Sequence, residues 1–213
     1  IELEHMLSPH WIHFLVDNNT LAEEHIAGVP GDMFIREHIN RPEYNLKKVA
    51  KEFVKFNERC FIRLLGDMRS YNFVFDIVQD FDNIQFRIRA IDFDQQSYEG
   101  RKNLYLPQFY RENYEFVELV LKTLSPEVIE QYQMEEQTAM AHRVVASRRQ
   151  LMELLSIMIK DEISEYHKIK MLKDELNKHF NTSYFSKCST MGTIVKRQLK
   201  LVLQKHLQQI IPV

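Results

Sequence analysis

The sequence predicts a mainly α-helical fold that carries one small β-hairpin. Three observations lead there: an amphipathic run that starts at Leu46, two Phe-, Ile- and Val-rich segments around a polar turn, and helical patterning over most of the chain after residue 108. With 213 residues, 45% hydrophobic and 27% charged, the chain can bury a substantial core. The simplest organisation is one domain over 1–213, with a motif core at 46–100 and a helical extension at 108–210.

In chain order, Leu46, Val49, Ala50, Phe53, Phe56, Cys60, Phe61 and Leu64 recur at three- and four-residue steps, and Asn45 can cap the amino end. Phe73-Val74-Phe75 and the segment 84–91 then bracket Gln79-Asp80-Phe81-Asp82-Asn83, as two strands and a reversal would. Residues 108–122 read as a helix with Phe109, Phe116, Val117, Val120 and Leu121 inward. Ser125 and Pro126 open the next helix, Ser as cap and Pro at the first helical position. Further helical patterns cover 127–160, 164–180 and 189–209, with a break near Asn181.

Charge and composition narrow the function classes. A net charge of -2 gives no drive toward nucleic acid, and no polybasic segment suggests a membrane surface. No apolar run approaches the roughly 18 to 20 residues that span a bilayer. Cys60 and Cys188 lack a paired spacing and are expected as free thiols in a reducing, cytoplasmic setting, where the sequon Asn181-Thr182-Ser183 goes unused.

The segment 65–94 carries the chemistry. Transfer of a terminal phosphoryl group needs a carboxylate to orient the attacking hydroxyl and oxygen ligands to hold magnesium against the phosphates. Asp67 followed five residues later by Asn72 can supply the first carboxylate and a neutral ligand from one tight loop. A hairpin that returns just before Ile91-Asp92-Phe93 can then deliver a second carboxylate, Asp92.

The run Gly66-Asp67-Met68-Arg69-Ser70-Tyr71-Asn72, the strand pair and Ile91-Asp92-Phe93-Asp94 together resemble the catalytic and metal-binding loops of the protein-kinase-like superfamily. The likeness is nearest to the aminoglycoside and choline kinase-like branch and covers about 46–100. It implies Asp67 as catalytic base or hydroxyl-orienting group, Asn72 and Asp92 as ligands of Mg2+ in an ATP site, and Arg69 as a phosphate-neutralising group. Leu65 stands where the family usually has a bracing His, and Asp94 where protein kinases have Gly. With Gly only at 28, 31, 66, 100 and 192, a glycine-rich phosphate loop of the G-x-G-x-x-G type has no place in the chain. In such folds a small β lobe precedes the catalytic loop, whereas Asp67 here follows only 66 residues. The expectation is therefore a kinase-like C-terminal lobe, read from Ile1 as part of a larger protein, whose N-terminal β lobe is absent from this chain. The implied partners are a nucleotide and a small-molecule or protein substrate. The alternative is a non-catalytic kinase-like or helical protein-interaction domain.

Other groups have plainer readings. His5, His10 and His13 lack a finger-like ligand spacing. Asp76, Asp80 and Asp82 lack the Gly and distal Glu of a calcium loop, which favours a solvated hairpin turn. Arg143, Arg148 and Arg149 with His142 read as a solvent-facing helix side. Tyr98, Tyr105, Tyr110 and Tyr114 follow the metal triplet, where a substrate could stack, although packing against the following helices is the commoner use.

Overall fold

The computed structural model describes residues 1–80 and 83–210. At its centre lies helix α3 (Leu46–Arg63), preceded in the chain by α1 (Glu2–Leu7) and a short helix α2 (Gly31–Met33) that runs on as a π-helical turn, Phe34–His38. The Asn45 side chain accepts a hydrogen bond from the Lys47 N–H at 3.1 Å, which satisfies one orphan donor of the first turn. The helix ends where Leu64 turns left-handed, φ 57°, with its N–H returned to the last turn.

The predicted hairpin forms from β4 (Phe73–Asp80) and β5 (Asn83–Ala90), antiparallel with Phe73 opposite Ala90. Phe81 and Asp82, the middle of the expected turn, lie outside the described residues. The sheet is larger than the sequence suggests, because β3 (Val29–Pro30) pairs with the other edge of β4, Val29 facing Phe75. A second sheet, β1 (Phe14–Asp17) with β2 (Thr20–Glu23), was also unforeseen. Its strands are four residues each and almost wholly exposed, so they carry no inward-outward alternation to read. Arg89 of β5 anchors this hairpin by donating to the Trp11 carbonyl at 2.9 Å.

The carboxy-terminal part is helical, with changed boundaries. Residues 107–113 form two 3-10 turns before α4 (Tyr114–Thr123), and the pattern predicted over 127–160 splits into α5 (Pro126–Ala146) and α6 (Arg148–Met158). Phe116 and Val120 are buried as predicted, but Phe109 and Leu121 are 56% and 71% exposed. They line an apolar cleft between α3, α4 and α5 rather than the core. After α7 (Tyr166–His179), Asn181 adopts φ 48° at the predicted break, and α8 (Met191–Ile210) closes the bundle.

Helix α3 stands between two apolar clusters. On one side Phe53, Phe56 and Cys60 meet Phe73, Phe75 and Ile88 of the sheet and Phe116 of α4. On the other, Phe61 and Ile62 meet Leu172 and Leu176 of α7 and Ile194 and Val195 of α8. Side chains of this kind contribute about 1.5–3 kcal/mol each when fully buried, so α3 is held from both flanks. The same helix also buries Arg59, paired with Glu52 at 2.8 Å and Glu136 at 3.5 Å, and Arg63, which lies against Glu4 of α1. Helix α3 thus delivers its C-terminal end, where the motif begins, from a firmly packed base.

Candidate functional site

Two loops leave this base and are laced together. Residues 64–72 follow α3, and residues 91–97 follow β5. The Ser97 N–H donates to the Leu64 carbonyl at 2.7 Å, the Gly66 N–H to the Gln95 carbonyl at 3.2 Å, and Leu65 bridges Gln96. The Gln96 carboxamide donates to the Arg63 and Leu64 carbonyls at 2.6 and 3.2 Å. Leu65 itself is fully buried, an apolar plug directly ahead of Gly66 and Asp67.

Asp67 and Asn72 are brought into contact. The Asn72 Nδ2 donates to the Asp67 carbonyl at 2.8 Å and to its Oδ2 at 3.3 Å. The Asn72 carbonyl in turn accepts from the Ile91 N–H at 3.1 Å, which ties Asn72 to the residue preceding Asp92. Arg69 donates from Nε to Asp67 Oδ1 at 2.7 Å and from its terminal nitrogen to Glu112 at 2.7 Å. The Asp94 N–H donates to Asp92 Oδ1 at 3.2 Å. Desolvation and the neighbouring carboxylates of Asp92 and Asp67 raise the Asp94 carboxyl, so three carboxylates share one electrostatic field.

The donor chemistry suits a hard divalent cation. With Nδ2 turned to Asp67, the Asn72 amide oxygen is committed to no protein donor among the described residues, and Asp92 adds carboxylate oxygen. Among those residues no three His, Cys, Asp or Glu side chains close around a common point. A cation held by Asn72 and Asp92 would therefore take its remaining ligands from water or phosphate, the usual arrangement for magnesium.

The segment that follows Ile91-Asp92-Phe93 contributes contacts that the spacing of Asp67, Asn72 and Asp92 does not announce. The Tyr110 hydroxyl accepts from the Asp67 N–H at 2.9 Å and donates to the Leu104 carbonyl at 2.7 Å. Its ring carries the Arg69 guanidinium at 5.1 Å, and burial pushes its phenol up to about 12. Buried Asn113 donates to the Met68 and Pro107 carbonyls at 2.8 and 2.7 Å. In the sequence Tyr110 was visible only as one of four tyrosines, and nothing distinguished Glu112 or Asn113. Beside the Arg69–Glu112 pair opens a cleft of about 490 Å³ bordered by Asp32, Arg36, Ser70, Arg111 and Glu115.

The other candidates do not assemble a site. His5 bonds the Ile12 carbonyl at 3.0 Å, while burial and the surrounding arginines 59, 89, 87 and 143 lower His10 to about 3. Asp76 and Asp80 lie along β4. Tyr105 is buried and donates to the Glu99 carbonyl, Tyr98 lies under Lys168, and Tyr114 is exposed. Arg143 departs from the expected solvent-facing side: it is half-buried, meeting Glu136 at 3.3 Å and the Leu7 carbonyl at 3.2 Å. Arg148 and Arg149 remain exposed. Cys60 and Cys188 are both free and buried. No helix among the described residues is long and apolar enough to cross a membrane. No protein-family model matches the chain, and comparison with curated proteins and with solved structures yields no match either.

Proposed function

We propose that this chain carries the catalytic and metal-binding loops of an ATP- and magnesium-dependent phosphotransferase, resembling kinase-like enzymes. The observation that carries the reading is the joining of two separate loops at Asn72: its side chain holds Asp67, and its carbonyl holds the strand end that bears Asp92. In this reading Asp67 orients the acceptor hydroxyl and accepts its proton, while Asn72 and Asp92 hold Mg2+. The cation would neutralise the phosphate oxygens as charge shifts during transfer. Arg69, fixed between Asp67 and Glu112, supplies positive charge at the edge of the same loop. The cleft beside it has room for an acceptor, a small molecule or a protein segment.

A second reading has its own support. Arg69 and Asn72 engage both carboxylate oxygens of Asp67, and Leu65 replaces the family's bracing residue. A non-catalytic kinase-like or helical interaction domain would keep such a loop as architecture and work through helical surface, where Met152, Ile157 and Tyr166 are exposed.

Paramagnetic broadening in NMR separates the two, because it registers weak binding. With Mn2+ and ATP, the amide signals of Asn72 and Asp92 should broaden selectively, and Asp92→Ala should abolish the effect. An unbroadened pair, or broadening indifferent to Asp92→Ala, would leave the interaction reading in possession.

A further inference from the structure

We infer that Tyr110 is a positioning residue for Asp67, aided by Glu112, so that the segment after the metal triplet replaces the brace missing at Leu65. The inference rests on the phosphotransfer reading for its catalytic meaning and on geometry for its existence.

Asp67 sits at φ 54°, in the left-handed region that Asp tolerates better than most non-glycine residues. Its N–H has the Tyr110 hydroxyl as partner. A phenol has one proton, and Tyr110 commits it to the Leu104 carbonyl at 2.7 Å. Towards Asp67 the hydroxyl can therefore only accept, which fixes the sense of the contact. The Tyr110 ring makes a separate contribution. It lies 5.1 Å beneath the Arg69 guanidinium, whose two ends reach Asp67 and Glu112 at 2.7 Å each. The hydroxyl thus sets the Asp67 backbone, and the ring with Glu112 sets the cation on the Asp67 carboxylate. Asn113 fixes the adjoining Met68 carbonyl, so the loop is held at successive residues from one short segment.

The two contributions separate by substitution. In Tyr110→Phe the ring remains and the hydroxyl is lost. Hydrogen exchange at the Asp67 amide should accelerate about fivefold, the equivalent of one net hydrogen bond. The Arg69 Nε–H signal should persist, and α3 amides should stay unchanged. In Tyr110→Leu, and in Glu112→Ala, which removes the acceptor of the Arg69 terminal nitrogen, the Arg69 Nε–H signal should weaken or vanish. If Tyr110→Leu fails to fold, Glu112→Ala carries that arm. An Asp67 amide that exchanges equally in wild type and Tyr110→Phe overturns the inference, as does an Arg69 signal indifferent to Glu112→Ala. The Mn2+ and ATP measurement keeps the two readings apart. Broadening at Asn72 with an unchanged Asp67 amide sinks the brace alone. No broadening with an accelerated amide sinks phosphotransfer and keeps the brace.

Discussion

Arg59 and Arg63 in the core and Arg69 at the candidate site make the same chemical contact, guanidinium to carboxylate, in opposite surroundings. Arg59 is about 1% exposed and Arg63 not at all, and their partners Glu4 and Glu136 are nearly as buried. Arg69, Asp67 and Glu112 are each about one-third exposed. Desolvation cancels most of the attraction within a buried pair, yet removing one partner strands a charge in the interior. Water screens the exposed trio, so its ion pairs contribute little to global stability even though they set the local geometry. The buried pairs are therefore suited to fixing helices relative to one another, and the exposed trio to meeting a ligand.

The largest effect should come from stranding a buried charge. Glu4→Ala leaves Arg63 unpaired and should cost about 3–5 kcal/mol in urea denaturation. Replacing both partners, Glu4→Leu with Arg63→Met, should recover nearly all of that loss, because an apolar pair avoids desolvation. A double variant as unstable as Glu4→Ala would show that the pair itself, and not the stranded charge, stabilises the fold.

A smaller, pH-dependent effect sharpens the same contrast at Glu58. Burial raises its carboxyl above the ordinary value of 4.5; the Gln137 hydrogen bond opposes this, and Glu136 adds to it. The folded state then holds the proton more tightly than the unfolded chain. The associated stability is fully present below the unfolded value and is lost as pH rises through the folded one. Glu58→Gln, which keeps an acceptor for Gln137, should gain on wild type progressively as pH is raised from 4 upward. Parallel denaturation curves for the two proteins across that range would refute the assignment. The smallest effect belongs to the exposed trio: Arg69→Ala should change global stability by less than about 1 kcal/mol. A loss comparable to that of Glu4→Ala would erase the distinction between the regions.

The sequence displayed features whose causes are local. Helix α3 was legible because its apolar spacing and its Asn45 cap lie within one segment, and the β4–β5 pair because its residues flank their own turn. The mainly helical character with a hairpin followed from these. What escaped depends on distant partners. Arg59 and Arg63 look in sequence like ordinary helix-surface charges, since Glu4 and Glu136 come from other helices. Strand β3 is two residues long and exists through its pairing with β4. Phe109 fits an inward pattern, but the chain breaks into 3-10 turns at 107–113 and Phe109 lines the cleft, while Leu121 lies off the Phe116, Leu119 and Val120 face that α4 buries. At the site, the spacing of Asp67, Asn72 and Asp92 was readable, whereas Tyr110 and Glu112 reach Asp67 and Arg69 only through the tertiary fold.

Each apolar cluster flanking α3 contains one thiol, Cys60 on the sheet side and Cys188 on the side of α7 and α8. Burial raises both, which leaves little thiolate to react while the protein is closed. The molecule consequently contains two built-in clocks. Alkylation of Cys60 times the opening of the sheet-side layer, and alkylation of Cys188 times the release of the terminal bundle. Equal labelling rates would mean that the halves come apart as one cooperative unit, and unequal rates would tell which loosens first.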